Sequence, residues 1–361
     1  MNDTLSKSAA RLLEATAANI DLAGRIIEKN LDSVLSGSSA TRDEPYRGAT
    51  TVEEIFRFDS MKLLRYSGTA PVTCTTPLVL VPSLINRAYI MDLMPSATLA
   101  GHLREAGIQV YLLDWGTPGP QHDHLPFRFF VDDLIGMAVR EACRDTGAKK
   151  ASLLGYCMGG TMSLLHAALH PNRIERLIML AAPVNFHDEG PLSAWARKDA
   201  FDVDTLVDVL GHADSAMLQS SFQLIKPFSG YQKWKNVFEG SLDAKAAESI
   251  VALESWLNDN VNVPGEAYRG YVKLCYHDNA IRNRRFDFDG IEIDLENLSI
   301  PVMNVMASKD HIVPIESSRC LSQLVSGPVT DLVIDAGHIG VVMGRKARGM
   351  FESVAKFHST V

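Results

Sequence analysis

The residues with the clearest capacity for chemistry form the pentapeptide Gly155-Tyr156-Cys157-Met158-Gly159. It has the glycine-x-nucleophile-x-glycine form and stands between an apolar run of strand length and a helical run. A tight strand-to-helix turn exposes its central side chain and directs the helix N-terminus at it, which favours a thiolate. The flanking glycines leave space where side chains would collide. We therefore predict that Cys157 is a nucleophile; the alternative is a small apolar core residue.

A cysteine nucleophile needs a base, and the base needs a group that orients it. On a scaffold with this turn, the acid and then the histidine follow along the chain, each in a loop after a strand. Asp310 follows the apolar run 301–308, and His338 follows the run 330–337. We predict a triad of these two residues with Cys157. The alternatives are that Asp310 caps a nearby helix and that His338 is an ordinary loop histidine.

Acyl transfer also requires N–H donors for the oxyanion that develops on the attacked carbonyl group. One donor is expected from the backbone of Met158, the residue after the nucleophile. The second usually comes from the loop after an early strand, where Ile85 is our candidate. Gly337 and Gly340 are expected to let the backbone bring the histidine close to the sulfur.

The remaining cysteines sit in no such context. The chain has five cysteines without CxxC spacing, which indicates neither a disulfide framework nor a thiolate zinc site. We expect reduced, inert thiols at the other four positions, which are Cys74, Cys143, Cys275 and Cys320.

One histidine pair has the spacing of a metal site but lacks the glutamate that the motif requires. His166 and His170 stand one helical turn apart, as in the zinc motif HExxH, but Ala167 replaces the required glutamate. We therefore expect no metal site.

The elements that must position the triad are six continuous apolar runs of strand length. They cover residues 78–85, 110–116, 151–157, 176–184, 301–308 and 330–337. Runs that are apolar on both faces are typical of a parallel sheet buried under helices. Amphipathic stretches between them predict crossover helices at 92–106, 129–147, 161–170 and 316–325. The sequence thus predicts an α/β fold with a mostly parallel sheet.

The alternation of strands and helices stops between 186 and 298, where the pattern is helical and rich in aromatic residues. This segment is predicted to be a cap over the carboxyl ends of the strands, where open α/β sheets bind ligands. The core then comprises 49–185 and 299–361. Apolar residues at steps of three and four predict an amphipathic helix over 1–36, followed by a polar linker over 37–48.

Composition bounds the class of protein. The 361 residues are 46% hydrophobic and 22% charged, which is typical of a soluble globular chain with a sizeable core. The formal net charge of −8 argues against nucleic acid as a partner. The basic cluster Arg282, Arg284 and Arg285 is either a solvated face or a contact for substrate phosphates. Without a membrane-length apolar run or a signal-peptide core, we expect a cytoplasmic protein with no membrane span.

With these motifs, the chain resembles the catalytic subunits of polyhydroxyalkanoate synthases, and its length most resembles the short two-component class III or IV type. The resemblance lies in Val81–Leu93, Val110–Gly116, Leu153–Gly160, Leu224–Ser229, Lys309–Pro314 and Gly337–Gly340. Cysteine in place of serine, together with the Asn-Arg-x-Tyr and Asp-His segments, makes it specific. Met158 departs from the glutamine expected in the class III enzymes.

The resemblance implies an α/β-hydrolase fold and an enzyme that polymerises 3-hydroxyacyl-CoA into polyester with release of CoA. Short acyl chains such as 3-hydroxybutyryl are expected, with no cofactor beyond the CoA thioester that is the substrate. Cys157 would carry the acyl group as a thioester and His338 would deprotonate the thiol. Asp310 would act as base on the 3-hydroxyl group, with His311 and Asn86 in support.

The resemblance further implies a homodimer, a second synthase subunit, or both, at the surface of a polyester granule. Water must be kept from the thioester, and cap aromatics are suited to exclude it, although each could simply be cap core. These aromatics are Trp195, Phe222, Phe228, Trp234 and Trp256. Two alternatives stay open: a cysteine-dependent acyl-CoA thioesterase on the same fold, and a non-catalytic granule-associated relative.

Overall fold

A computed structural model of the protein describes residues 47–225, 244–343 and 347–360, with only the backbone for 244–247. The predicted helix over 1–36, the linker up to residue 46, and the predicted cap aromatics Phe228 and Trp234 lie outside the described residues.

The described chain contains fourteen strands. In chain order they are β1 (Val52–Phe58), β2 (Met61–Tyr66), β3 (Cys74–Val81), β4 (Asp92–Met94), β5 (Ala97–Thr98), β6 (Ile108–Asp114), β7 (Ala151–Tyr156), β8 (Ile174–Leu180), β9 (His212–Ala213), β10 (Val263–Pro264), β11 (Arg285–Phe288), β12 (Ile291–Asp294), β13 (Val302–Ala307) and β14 (Val329–Ile334).

The α-helices of the described residues are α1 (Leu99–Glu105), α2 (Ile135–Thr146), α3 (Met158–Leu169), α4 (Pro191–Trp195), α5 (Val203–Leu210), α6 (Ser215–Ile225), α7 (Ala244–Leu257), α8 (Gly265–Tyr271), α9 (Ile315–Arg319), α10 (Gly340–Met343) and α11 (Ala347–Ser359). Two π-helical segments, Phe129–Leu134 and Val272–His277, continue into or out of α-helices.

Eight strands form one sheet in the order β1-β2-β6-β3-β7-β8-β13-β14. The β1–β2 and β2–β6 pairs are antiparallel, and every other neighbouring pair is parallel. The six parallel strands are the six predicted apolar runs, so the predicted α/β fold with a mostly parallel sheet is confirmed. The antiparallel β1 and β2 were not predicted, because β1 is half exposed and carries charged residues along its length.

The predicted helix over 92–106 is wrong in its first half. Residues 92–98 form the short hairpin of β4 and β5 instead, and α1 starts only at Leu99. Buried Asp92 accepts hydrogen bonds from the backbone N–H and the hydroxyl of Thr50, which fixes the hairpin against the start of the domain. Thr98 then caps α1 by accepting from the Gly101 amide at 2.8 Å. Similarly, the predicted helix over 316–325 is α9 followed by a 3-10 turn at Cys320–Gln323.

The sheet is buried on both faces. Leu78 and Leu80 of β3 pack into the cluster that includes α1 and α11, whereas Val79 and Val81 pack into the cluster that includes α2 and α3. This alternation of buried side chains along one strand is what a central parallel strand requires. The strand ends therefore form a rigid platform for the loops that follow them.

The predicted cap segment, 186–298, packs on the core. Side chains from both of its halves, among them Val203, Leu218, Tyr271 and Ile293, belong to the α2–α3 core cluster. Helices α6 and α7 also contribute to the wall of the cavity beside Cys157. The predicted domain boundaries stay a prediction.

Among the described residues, no helix combines the length and the hydropathy needed to cross a membrane.

Candidate active site

Cys157 occupies a strained turn between β7 and α3. Its backbone has φ 55° and ψ −127°, in the left-handed half of φ space that a residue with a Cβ atom seldom adopts. Its amide donates to the Leu180 carbonyl of β8 at 3.0 Å, and its carbonyl accepts from the Gly160 amide at 2.9 Å. The sheet on one side and the helix on the other thus hold the turn in place.

The glycines of the motif are required by close backbone approach. A Cβ atom on Gly159 would lie 2.1 Å from the carbonyl oxygen of Val81, and one on Gly155 would lie 2.4 Å from the carbonyl oxygen of Gly159. Gly160 is equally enclosed, since its Cβ would meet that of Ala182 at 2.3 Å. The prediction that side chains would collide at the glycines of the motif is therefore confirmed.

Gly337 and Gly340 do not follow that argument. A Cβ on Gly337 would be 3.4 Å from the nearest atom, the Lys309 carbonyl oxygen, and one on Gly340 would be 3.6 Å from Ala336. Neither residue has a positive φ. The expectation that these glycines are needed to bring His338 to the sulfur is wrong, because ordinary side chains would fit there.

The structure brings Cys157, His338 and Asp310 together. His338 Nδ1 is 2.6 Å from Asp310 Oδ2, and the imidazole is hydrogen-bonded to the Cys157 side chain. The other oxygen, Asp310 Oδ1, accepts from the amides of Ile312 and Val313, both at 2.8 Å. The order of contacts is therefore thiol, imidazole, carboxylate.

The environment of His338 favours its charged form. Burial alone would lower its pKa, but the negative charges of Asp310 and Cys157, with hydrogen bonds to both, raise the pKa of His338 to about 10. An imidazolium beside the sulfur stabilises a thiolate, which is the nucleophilic form of cysteine. The helix N-terminus of α3 acts in the same direction.

Tyr156, the buried last residue of β7, also holds His338 in place, and the sequence did not predict this role. Its ring stacks on the imidazole of His338, with centroids 5.2 Å apart and 29° between the planes. Its hydroxyl donates to the His338 carbonyl at 3.1 Å, and burial raises the pKa of Tyr156 well above its usual value, so it remains a donor. Its position beside the nucleophile was the available signal.

The implied role of Asp310 as base on the 3-hydroxyl group stays a prediction, and its surroundings favour a different role. Its side chain has 0% exposure, and its two oxygens are engaged by the imidazole and the two amides. Enclosed in this way, the carboxylate offers no exposed oxygen atom to a substrate hydroxyl group. The geometry supports orientation of His338 by Asp310. The alternative of a helix cap is also resolved, since α9 begins later, after Pro314.

The two predicted oxyanion donors have different surroundings. The Met158 amide is the first of α3, so no preceding turn of the helix supplies its acceptor. The Ile85 amide donates to the hydroxyl of Ser83 at 3.2 Å. It would have to exchange this bond for one to an oxyanion. Both assignments stay predictions.

A cavity of about 880 Å³ adjoins Cys157. Its walls include the predicted supporting residues His311 and Asn86, and, from the cap, the predicted aromatics Phe222 and Trp256. Trp195, in contrast, is 44% exposed and is not part of the wall. Asn86 does not point its amide at the triad: its Nδ2 donates to Asn260 Oδ1 at 2.6 Å.

The other cysteines have surroundings unlike those of Cys157. All five cysteines lie within the described residues and are free thiols. Burial raises the pKa of Cys143, Cys275 and Cys320, which disfavours their thiolates. The expectation that these thiols are inert therefore has a physical basis at three of the four positions.

The histidine pair of α3 has partners within the protein. His166 Nδ1 lies 2.8 Å from the Val131 carbonyl, and His170 Nε2 lies 2.6 Å from Asp132 Oδ1. Potential ligand atoms of Asp132, His166 and His170 all fall within 4.8 Å of one another. A metal ion would have to replace the bond between His170 and Asp132, so we assign no metal role to this group, and the expectation of no metal stays a prediction.

The basic cluster in the described residues is paired. Arg284 lies 3.4 Å from Glu296, Arg285 lies 2.6 Å from Asp294, and Arg282 donates to Gln323. These contacts favour the solvated face over the contact for substrate phosphates.

Comparison with known proteins agrees with this geometry. A model of the alpha/beta hydrolase fold matches residues 76–343, and a model of the poly-beta-hydroxybutyrate polymerase (PhaC) N-terminus matches residues 47–103. The poly(3-hydroxyalkanoate) polymerase subunit PhaC of Allochromatium vinosum is 33% identical over 83% of this chain and 86% of its own. The chain belongs to the PhaC family.

Other PhaC proteins and hydrolases extend this comparison. The PhaC subunit of Haloferax mediterranei is 32% identical over 88% of this chain, which spans 65% of that protein's length. Among solved structures, epoxide hydrolase A from Mycobacterium thermoresistibile has a TM-score of 0.52 at 15% identity, covering 86% of this chain and 98% of its own. That similarity concerns the fold alone.

Proposed function

We propose that this protein is a poly(3-hydroxyalkanoate) synthase that polymerises short 3-hydroxyacyl-CoA units and releases CoA. The observation that carries the proposal is the hydrogen-bonded series of Cys157, His338 and Asp310 at a strained strand-to-helix turn, in a chain of the PhaC family. The Cys157 thiolate attacks the carbonyl carbon of the CoA thioester, and the tetrahedral oxyanion meets the Met158 amide. The imidazolium of His338 then protonates the departing CoA sulfur.

Elongation uses Cys157 and His338 again, with the proton now moving from the substrate to His338. Neutral His338 accepts the proton of the 3-hydroxyl group of an incoming 3-hydroxyacyl-CoA, whose oxygen attacks the acyl carbon on Cys157. An ester bond forms and the carbon–sulfur bond breaks, so the chain, one unit longer, resides on CoA until Cys157 takes it back with release of CoA. No cofactor enters these steps. Asp310 acts through His338 by holding Nδ1, which leaves the other ring nitrogen towards the sulfur.

The thioester on cysteine suits polymerisation because its energy is close to that of the CoA thioester it replaces. Each transfer can then proceed without a large drop in free energy, provided that water does not compete. Phe222 and Trp256 line part of the cavity, and their rings support the exclusion of water from the thioester. We extend the proposal to a homodimer, a second subunit, or both, at the granule surface, as the family resemblance implies.

The experiment is incubation with 3-hydroxybutyryl-CoA while released thiol is followed and the product is sized. Long polyester is the expected result. Free 3-hydroxybutyrate alone would show a thioesterase, and no CoA release would show a non-catalytic relative. Cys157→Ala should reduce release by at least about 10³-fold, because the acyl acceptor is lost. Cys143→Ala is the matched control and should keep normal turnover; equal turnover in both variants would overturn the site.

A further inference from the structure

The loop after β3, residues 82–91, is held by hydrogen bonds to residues 256–260 of the cap. We call it the β3 loop. It borders the cavity beside Cys157 and contains the amide of Ile85. Its Arg87 Nε lies 3.1 Å from Asp259 Oδ1, and its Tyr89 hydroxyl donates to Asp259 Oδ2 at 2.8 Å. One carboxylate at the end of α7 therefore binds two side chains of this loop.

Asp259 is well shielded from solvent for a charged residue. Its side chain is 15% exposed and that of Arg87 is 12% exposed. A third donor, the half-exposed Arg47, binds the same carboxylate from outside at 2.9 Å. Removal of one partner of such a shielded pair is costly, because it leaves a charge with little water and no counter-charge.

Asn260 extends these contacts to a second cap helix. Besides accepting from Asn86, its own Nδ2 donates to Gln219 Oε1 of α6 at 3.1 Å. Asn86 and Asn260 also form an isolated antiparallel backbone bridge. The β3 loop, the end of α7 and helix α6 thus meet at one residue.

A backbone contact completes the set. The indole Nε1 of Trp256 donates to the Arg87 carbonyl at 2.8 Å, and Trp256 is 3% exposed. We call the contacts between Trp256, Asp259 and Asn260 and residues 86–89 the clasp. They join segments about 170 positions apart in sequence, and both segments contribute to the cavity wall.

We propose that Asp259 is a positioning residue for acyl transfer: through the clasp it fixes the β3 loop to the end of α7, so that the cap and the oxyanion loop move together. The proposal rests on the proposed function and adds to it. In the clasped state the Ile85 amide is bonded to Ser83. A displacement of α7 would pull on Arg87 and Tyr89, and through them on the segment that carries this amide.

Loss of the clasp should affect both rate and product. A β3 loop that moves independently of α7 places its amide poorly over the thioester and leaves a gap through which water enters. We expect Asp259→Ala to lower kcat about 100-fold, the order of loss that follows when a catalytic group is misplaced by about 1 Å. KM should change less, and the ratio of free 3-hydroxybutyrate to polyester should rise. A purely structural role would lower the amount of folded enzyme without moving that ratio.

A matched control exists in α5. Asp204 is also a carboxylate that pairs with two cations, Arg269 and Lys273, and both of these lie outside the β3 loop. Asp204→Ala should keep the wild-type kcat and product ratio. Tyr89→Phe removes only one hydroxyl donor and is expected to fold normally; it should shift kcat and the product ratio a few-fold in the direction of Asp259→Ala.

Hydrogen exchange gives a measurement that does not depend on turnover. Asp259→Ala should accelerate exchange of amides in both the β3 loop and α7, whereas Asp204→Ala should accelerate neither. If Asp259→Ala and Tyr89→Phe fold and retain wild-type kcat, product ratio and exchange, the clasp proposal is wrong. If instead wild-type protein releases CoA but forms no polyester, the proposed function fails, while CoA release and exchange in the variants still decide the clasp.

Discussion

Two carboxylates beside the same cavity have similar hydrogen bonding and different chemistry. Asp310 binds His338 and two backbone amides, and Asp259 binds Arg87, Tyr89 and an outer arginine. His338 can exchange a proton. Arginine stays protonated, and burial with the nearby Asp259 charge raises the pKa of Tyr89 far above neutrality. The first network can therefore take part in proton transfer, and the second can only hold parts together.

The two networks are also attached to the fold in different ways. Cys157, Asp310 and His338 each lie within four residues of the end of a parallel strand, so backbone hydrogen bonds of the sheet fix their separation. The clasp joins loop and helix ends through side chains, with one isolated backbone bridge. The sheet therefore places the reacting atoms, while the cover over them depends on a few polar contacts.

Asp310→Asn should give the largest loss of activity, because it changes the network of Cys157, His338 and Asp310 that the sheet holds in place. If Asp310 orients His338, acylation itself should slow about 10³-fold, because the imidazole loses its orienting acceptor and its charge partner. The measurement is single-turnover CoA release from butyryl-CoA, which has no 3-hydroxyl group. If Asp310 instead acts only as base on the 3-hydroxyl, acylation by butyryl-CoA will match wild type and only elongation will fail. Asp204→Asn serves as the control.

The free energy of unfolding should depend on pH through the triad network and not through the clasp. The pKa of His338 is about 10 in the folded protein, against an ordinary value of 6.5. The folded state thus binds its proton more tightly, so this contribution to stability is complete below pH 6.5 and is lost as pH rises through 10. Between these limits, wild type should lose on the order of 2–4 kcal/mol more unfolding free energy than His338→Gln.

Urea unfolding at a series of pH values measures this difference. Tyr89→Phe in the clasp should parallel wild type over the same range, since its phenol does not titrate there. A wild-type excess that stays constant or grows with pH would contradict the assigned charge state of His338.

The same contrast explains what the sequence could predict. Cys157 was found because the glycines and the strand-helix junction are adjacent in sequence. Asp310 and His338 were found because their order after strands is a property of the scaffold. The six parallel strands were found because both of their faces are apolar. Each of these signals is local or repeats along the chain.

What the sequence did not predict depends on contacts between distant segments. Asp259 gives no signal in the sequence, because Arg87 and Tyr89, which donate to it, lie about 170 positions away. The amphipathic pattern over 92–98 wrongly predicts a helix, because the hairpin there is stabilised by contacts of Asp92 with Thr50, 42 positions earlier. Half-exposed β1 lacked the apolar pattern used to find strands.

Two tryptophans, one directly after β6 and one in the cap, each bind the β3 loop through a single indole N–H. Their replacement should give the smallest of the expected effects. Trp115 donates to the Pro82 carbonyl at 3.1 Å from the core side, where it packs edge-on against Phe130. Trp256 donates to the Arg87 carbonyl at 2.8 Å from the cap side. Replacement of either by Phe should cost about 1 kcal/mol for the lost hydrogen bond.

The free-energy cost of the two replacements should appear in different measurements. Both tryptophans belong to core clusters, but Trp115 directly follows β6 of the sheet, so Trp115→Phe should lower the free energy of global unfolding. Trp256→Phe should leave global unfolding nearly unchanged and accelerate hydrogen exchange in α7 about fivefold, which is what 1 kcal/mol of local opening amounts to. Equal losses of global stability in both variants would mean that cap and core unfold as one unit, and the distinction between a sheet-placed centre and a clasped cover would then fail.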